Sequence, residues 1–164
     1  MKYILIGKIV NTHGLKGEVR ILSSFKYKQK VFIPNMKIYI GKDKICEVIN
    51  SYRHHKMFEM ITMNGYNDIN EILKYKGEYV FINKEDIKLS ANEYLDEDII
   101  GLNVYTEDKL LGIVKRIDNH NGNEILYVKN EDKTYLIPYY FDIIKSVNLE
   151  KKEMKVENII GLFD

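Results

Sequence analysis

The chain has 164 residues, 45 % of them apolar and 30 % charged, a balance that excludes a disordered chain and suits one larger domain or two small ones. No stretch approaches the roughly eighteen apolar residues of a membrane span, and the apolar run near Tyr3 is too short for a secretory signal, so a cytoplasmic address is expected. Net charge is +1 and Cys46 is the only cysteine, which rules out an internal disulfide and a thiolate cluster for zinc or iron–sulfur; the thiol itself reads as a small buried hydrophobe.

Short apolar segments rich in Tyr, Ile and Val, broken every ten or so residues by Gly, Asn, Asp and Lys, predict strands throughout. Tyr3–Val10 and Leu15–Leu22 flank Asn11-Thr12-His13-Gly14 and form the first expected hairpin, with Gly17 available for positive φ. Lys37–Ile40, Lys44–Tyr52, Met57–Met63 and Glu78–Ile82 follow as strands, which makes six in under ninety residues and predicts closure into a small barrel. One helix interrupts them over 67–75. Asp68 and Glu71 have capping-box spacing, Ile69, Ile72 and Leu73 form a stripe, Lys74 and Lys76 suit the C-terminal end, and Gly77 suits the cap. The helix is expected to plug one end of the barrel.

Lys88 to Asp98 has no sustained periodicity and carries four acids, so it reads as the boundary region, with a linker at 88–96 between domains 1–87 and 97–164. The second domain again predicts strands: Asn103–Thr106, Leu110–His120, Glu124–Lys129, Thr134–Ile137, Asp142–Leu149 and Met154–Val156, with Pro138 ending or edging one of them. The fold class is therefore all-β with one or two short helices, arranged as two small β-barrels.

Charge divides with the domains. Residues 1–87 hold thirteen Lys and two Arg against nine acids, a surplus of six positive charges, and residues 88–164 hold nine Lys and one Arg against fifteen acids, a surplus of five negative ones. A basic half suits a polyanion such as RNA and an acidic half suits a basic protein, because long-range fields steer association. Two solvated surfaces without partners fit the same count about as well.

Catalytic and ligand constellations are not found. His54 and His55 are adjacent, so in a strand they face opposite ways and cannot chelate one metal; His13 and His120 fall in different domains. No nucleophile elbow and no nucleotide loop is present, because the glycine-rich His13-Gly14-Leu15-Lys16-Gly17 runs into the alternating Glu18–Leu22 and not into a helix. The acidic run Asp96-Glu97-Asp98 reads as solvated linker. No catalytic residue, metal or cofactor is expected. Lys8, Lys16, Arg20, Lys26, Lys28 and Lys30, interleaved with Phe25 and Tyr27, make a candidate RNA surface, since cations neutralise phosphates and rings stack unpaired bases; core burial of Phe25 and Tyr27 is the competing reading. Pro138-Tyr139-Tyr140-Phe141 is a candidate aromatic docking segment in which at least one ring belongs to the core.

Ile6-Gly7-Lys8-Ile9-Val10 followed by Thr12 to Arg20 resembles the opening signature of the RimM family, factors for processing small-subunit ribosomal RNA. The likeness continues through the helix 67–75 with Gly77, Glu93-Tyr94 to Leu102, Leu111-Gly112-Ile113-Val114, Leu136-Ile137-Pro138 and Gly161-Leu162. It implies an N-terminal barrel resembling those of translation factors and a C-terminal barrel of the PRC type. It further implies a monomer that binds the head of the immature small ribosomal subunit, through a head-domain ribosomal protein (number nineteen of the small subunit) and nearby ribosomal RNA, and that acts as an assembly chaperone, not an enzyme. The family's aromatic pair falls on Tyr94-Leu95, its turn Asn-Asp on Asn123-Glu124, and its Asp-Leu on Asn148-Leu149, each with one residue changed. Tyr94, Leu95, Glu124, Pro138 and Tyr139 are the candidate protein-binding residues. A competing function is that the PRC-type barrel is a ligand-binding or electron-transfer accessory module, with an RNA-cleaving enzyme a third and weaker reading because nothing pairs a base with an acid.

Overall fold

Six strands close into a ring in the first half of the chain, as a computed structural model that describes residues 1–158 shows. They are β1 (Tyr3–His13), β2 (Glu18–Leu22), β3 (Lys37–Ile40), β4 (Ile45–His55), β5 (Phe58–Met63) and β6 (Tyr79–Asn83), in the ring order β1-β2-β5-β4-β3-β6. Period-two alternation decides the faces: in β2, Val19 and Ile21 are buried while Arg20 and Leu22 point outward, and Ile38, Ile40, Ile49, Ile61, Val80 and Ile82 complete the interior. Register shifts in β1 and β4 bend these long strands enough to close the ring. At Gly7, next to one such shift, a Cβ would lie 2.7 Å from Ile21 Cγ2 and 2.9 Å from the Leu22 carbonyl, so the strands can approach only without a side chain there.

The first hairpin differs from expectation by its turn. β1 runs on through Asn11-Thr12-His13, and the chain reverses at Gly14 to Gly17, whose φ values of 68° and 89° meet the need for left-handed residues. The expected helix over 67–75 is a single α-turn, α2 (Ile69–Ile72), continued by a 3₁₀ turn over Leu73–Tyr75. Asp68 caps it by accepting from Asn70 N at 2.9 Å. The tighter second turn rotates the buried stripe from Leu73 to Tyr75, which is why Leu73 is exposed. The helix docks by backbone on β1 and its turn, Ile69 N donating to Leu15 O and Gly77 N to Ile9 O. Neither α1 (Lys28–Val31), which delivers Val31 and Phe32 to the core, nor the exposure of Cys46 was legible; the thiol lies opposite Tyr39 on the outer face and so is not the buried hydrophobe expected.

The compact units are Met1–Ser90 and Ala91–Asp164. In the first, Lys30 Nζ donates to Lys88 O at 3.2 Å and reaches Ser90 Oγ at 3.5 Å. In the second, the acidic run read as solvated linker forms α3 (Asp96–Ile99), because carboxylates in a first helical turn complement the exposed N–H groups. The strands β7 (Asn103–Thr106), β8 (Lys109–His120), β9 (Asn123–Lys129), β10 (Thr134–Pro138), β11 (Ile144–Asn148) and β12 (Glu153–Val156) form one sheet in the order β10-β9-β8-β7-β12-β11. All are antiparallel except the β7–β12 pair. The sheet folds about a single core that includes Ile99, Val104, Leu111, Leu126, Ile137 and Met154. Pro138 ends β10, a strand at the sheet's edge where a missing donor costs least. The fold is thus all-β, with three one-turn α-helices among the described residues where one or two were expected; the motif Gly161-Leu162 lies outside the described residues.

Candidate recognition surfaces

The six cations proposed for RNA contact do not share one strand pair. Lys8 projects from the outer face of β1 over the Tyr79 ring, 5.3 Å to its centroid, and Lys16 is exposed in the β1–β2 turn. Lys26, Lys28 and Lys30 have left the sheet for the loop and α1, where Phe25 and Tyr27 are half-buried and meet edge to face at 6.1 Å. Arg20 has a different setting. Its Nη2 donates to His13 Nδ1 at 2.8 Å, its guanidinium lies 5.6 Å from the Phe58 centroid, and its Nε is buried without a hydrogen-bond partner among the described residues. Since a guanidinium only donates, His13 must present a bare Nδ1 to this bond.

Pairing of β2 with β5 brings this hairpin beside β4, and the outcome is a cluster that sequence spacing could not reveal. His13 and His55 rings lie 6.2 Å apart, while Arg53 makes a two-pronged bond to Glu18, at 2.9 and 2.7 Å. Burial, and then the neighbouring charges of Arg53, Lys56, His13 and Arg20, hold the His55 imidazole below its ordinary value. His54 points the other way, as strand alternation requires, and its Nδ1 meets Glu59 at 2.9 Å. Glu59, only 2 % exposed, also accepts from Tyr52 Oη at 2.8 Å; burial and this bond push the Tyr52 phenol up to about 12. Glu47 is likewise held by the phenols of Tyr66 and Tyr75.

Glu18 gives a pH prediction. The hydrogen bond from Arg53 holds its carboxyl below the ordinary 4.5, against the opposing effect of burial. A carboxylate depressed by folding contributes stability that is complete above the unfolded-state value and is lost as pH falls through the folded one. The stability difference between the native chain and Glu18→Gln is therefore expected to be constant near neutrality and to shrink on acidification below 4.5. Urea midpoints across that range measure it, and a pH-independent difference contradicts the assignment.

In the second unit, three of the five protein-binding candidates meet. Tyr139 N donates to Glu124 O at 2.9 Å, and Pro138 lies opposite Ile125 across the β9–β10 ladder. Tyr94 and Tyr139 both pack, partly buried, against the core. Leu95 is a correction: it is 4 % exposed, at the N-cap of α3, and offers a partner no surface. The next two residues of the aromatic segment supply that surface, with Tyr140 half-exposed and Phe141 79 % exposed. On β8 and β9, Arg116 stacks over Tyr127, 3.9 Å from its centroid.

No helix among the described residues is long and apolar enough to cross a membrane, and no group of three or more His, Cys, Asp or Glu among them is arranged to hold a metal. The architecture defines a two-domain β protein that presents cations on the first unit and exposed aromatics on the second. Residues 4–87 match the family model for the RimM N-terminal domain and residues 96–161 that for the RimM PRC barrel domain. The chain belongs to the RimM family. It is 38 % identical to the ribosome maturation factor RimM of Staphylococcus epidermidis, over 97 % of this chain and 98 % of that protein, and 35 % identical to that of Bacillus mycoides, over 98 % of each. Among solved structures it is similar to a RimM of Pseudomonas aeruginosa, at 22 % identity and TM-score 0.44 over 96 % of this chain and 98 % of that one.

Proposed function

We propose that this protein is a ribosome maturation factor that works in the cytoplasm as a non-catalytic assembly chaperone for the head of the small ribosomal subunit, aiding the processing of its RNA. The observation that carries the reading is the end-to-end likeness to proteins named ribosome maturation factor RimM, at 33 to 38 % identity. In this reading the second unit binds the head-domain ribosomal protein (number nineteen of the small subunit) through Tyr94, Pro138 and Tyr139, extended by Tyr140 and Phe141, with Glu124 at the rim. The surplus of five negative charges over 88–164 steers a basic partner toward it. The first unit meets ribosomal RNA through Lys8, Lys16, Lys26, Lys28 and Lys30. Arg20 supports that surface from behind, since it is bonded to His13 and stacked on Phe58. A monomer suffices for both contacts. No residue is taken as catalytic: His13 and His54 are each engaged in a structural pair, with Arg20 and Glu59. Assembly is promoted if the factor binds the immature head more tightly than the mature one and is released as the difference disappears.

The test of the first unit's part is salt dependence. Each phosphate neutralised adds roughly −0.7 to −0.9 to the slope of log affinity against log salt. Lys8→Ala with Lys16→Ala is expected to flatten the slope for immature small subunits by about 1.5, with the fold intact by circular dichroism; an unchanged slope removes these two lysines from the interface. Arg20→Ala is expected instead to lower thermal stability, because it strips His13 and Phe58 of their partner.

A further inference from the structure

The outer face that β1, β6 and β3 share carries more aromatic surface than a solvated barrel wall needs. Leu5, Phe81, Tyr39 and Cys46 stand opposite one another in register across four strands, and Tyr3 and Tyr79 flank that row along β1 and β6. Tyr3 packs edge to face on Tyr39 at 5.1 Å and on Phe81 at 6.5 Å, yet stays 37 % exposed; Tyr79 is 50 % exposed. Two ammonium groups lie over these rings, Lys44 at 4.2 Å from the Phe81 centroid and 5.6 Å from that of Tyr3, and Lys8 over Tyr79. Tyr79 and Tyr3 are separated by about four residues of strand, on the order of 13 Å.

We infer that this face is a stacking platform for unpaired RNA bases, with Tyr79 and Tyr3 as the stacking rings and Lys8 and Lys44 as the cations that meet the flanking phosphates. The inference rests on the reading that the first unit touches RNA, and adds the residues and the strandedness. Three observations select the occupant. Rings presented on a sheet face accept any base, whereas a duplex buries its π-faces and offers nothing to stack. The face is not purely cationic, since Asp43 shares the turn with Lys44 and Glu78 lies against Gly41, but the surplus of six positive charges over 1–87 makes a polyanion the partner the surrounding field favours over an acidic protein. An exposed cation–π contact is weaker than the stacking of a base on an aromatic ring, so an arriving base displaces the ammonium toward a phosphate.

The experiment is fluorescence anisotropy of the full chain with a short labelled unpaired RNA and with the duplex of the same sequence. Tyr79→Leu keeps apolar area and removes the π-face; it is expected to weaken the unpaired RNA roughly ten-fold and leave the duplex unchanged. Tyr79→Phe is expected to bind as the native chain does, which separates stacking from a phenol hydrogen bond, and Tyr3→Leu repeats the loss at the second ring. Equal affinity of native chain and Tyr79→Leu for unpaired RNA overturns the proposal, as does an equal loss for both RNAs. A loss seen only toward the assembled immature subunit, with none toward the oligonucleotide, overturns it in favour of protein docking. If the native chain binds neither RNA, the platform is again overturned, and the slope change of Lys8→Ala with Lys16→Ala on immature subunits then tells whether RNA contact by the first unit has failed with it.

Discussion

Gly112→Ala is expected to destabilise the second unit by about 3 kcal/mol or more. The residue has φ of 152°, and a Cβ there would sit 2.5 Å from the Lys129 carbonyl oxygen, 2.6 Å from its carbon and 3.0 Å from Asn130 N. These are backbone atoms of β9 and its end, so no rotamer change relieves the overlap. The β8–β9 ladder must open where Ile113 pairs with Lys129, and the Asn130 Nδ2 bond to Leu111 O, 2.9 Å long, goes with it. Leu111 and Val114 on either side are core residues, so apolar burial is lost along with the ladder. Gly101→Ala is the control: its φ is 98°, but nothing lies within 4 Å of the added Cβ, so only the conformational penalty of about 1 to 2 kcal/mol remains. Urea denaturation of the two variants measures the contrast, and equal losses contradict the β8–β9 register.

The second large effect is expected at Tyr94. Interface energy concentrates in a few aromatic contacts inside a polar rim, and truncating one typically costs at least about 2 kcal/mol, roughly thirty-fold in affinity, mainly through faster dissociation. Tyr94 also packs on the core, so Tyr94→Ala alone mixes docking with support. Phe141→Ala separates them. With 79 % of its surface exposed, Phe141 contributes little to folding, and a faster dissociation in this variant at unchanged melting temperature reports the interface alone. Glu124→Ala is expected to act on association and its salt dependence, as rim charges do. Surface-immobilised kinetics of the full chain against the head-domain ribosomal protein at two salt concentrations reads all three. If Tyr94→Ala and Phe141→Ala both dissociate at the native rate, the aromatic segment is not the docking surface.

Local pattern carried most of the strands. Val19 and Ile21 inward with Arg20 outward, or Val104 and Thr106 inward along β7, follow from period two alone, and Asn121 and Gly122, between the strands expected over 110–120 and 124–129, supply the left-handed residues a hairpin turn needs. What was missed has physical reasons. Thr12 and His13 look like turn residues because they are polar, but they continue β1 on its solvent-facing end. α1 is a single turn, too short to show a helical period, and α3 hides in an acidic run that a helix N-terminus accepts as readily as solvent does. Leu95 sits next to Tyr94 in sequence and shares its family motif, yet adjacent residues face different ways, so one is buried and the other packs at the surface. The cluster of His13, His55, Arg20 and Arg53, and the aromatic face of Tyr3, Tyr39, Tyr79 and Phe81, depend on pairings between strands far apart in the chain. Non-local register of that kind has no signature in composition or spacing.

The proposed role requires preference for an unfinished small subunit. The direct measurement is co-sedimentation of the full chain with immature and with mature small subunits, at one salt concentration and matched particle concentration. The protein is expected to pellet with immature particles and to stay in the supernatant with mature ones, and Phe141→Ala is expected to reduce the pelleted fraction. Equal pelleting with both particles, or with neither, contradicts it.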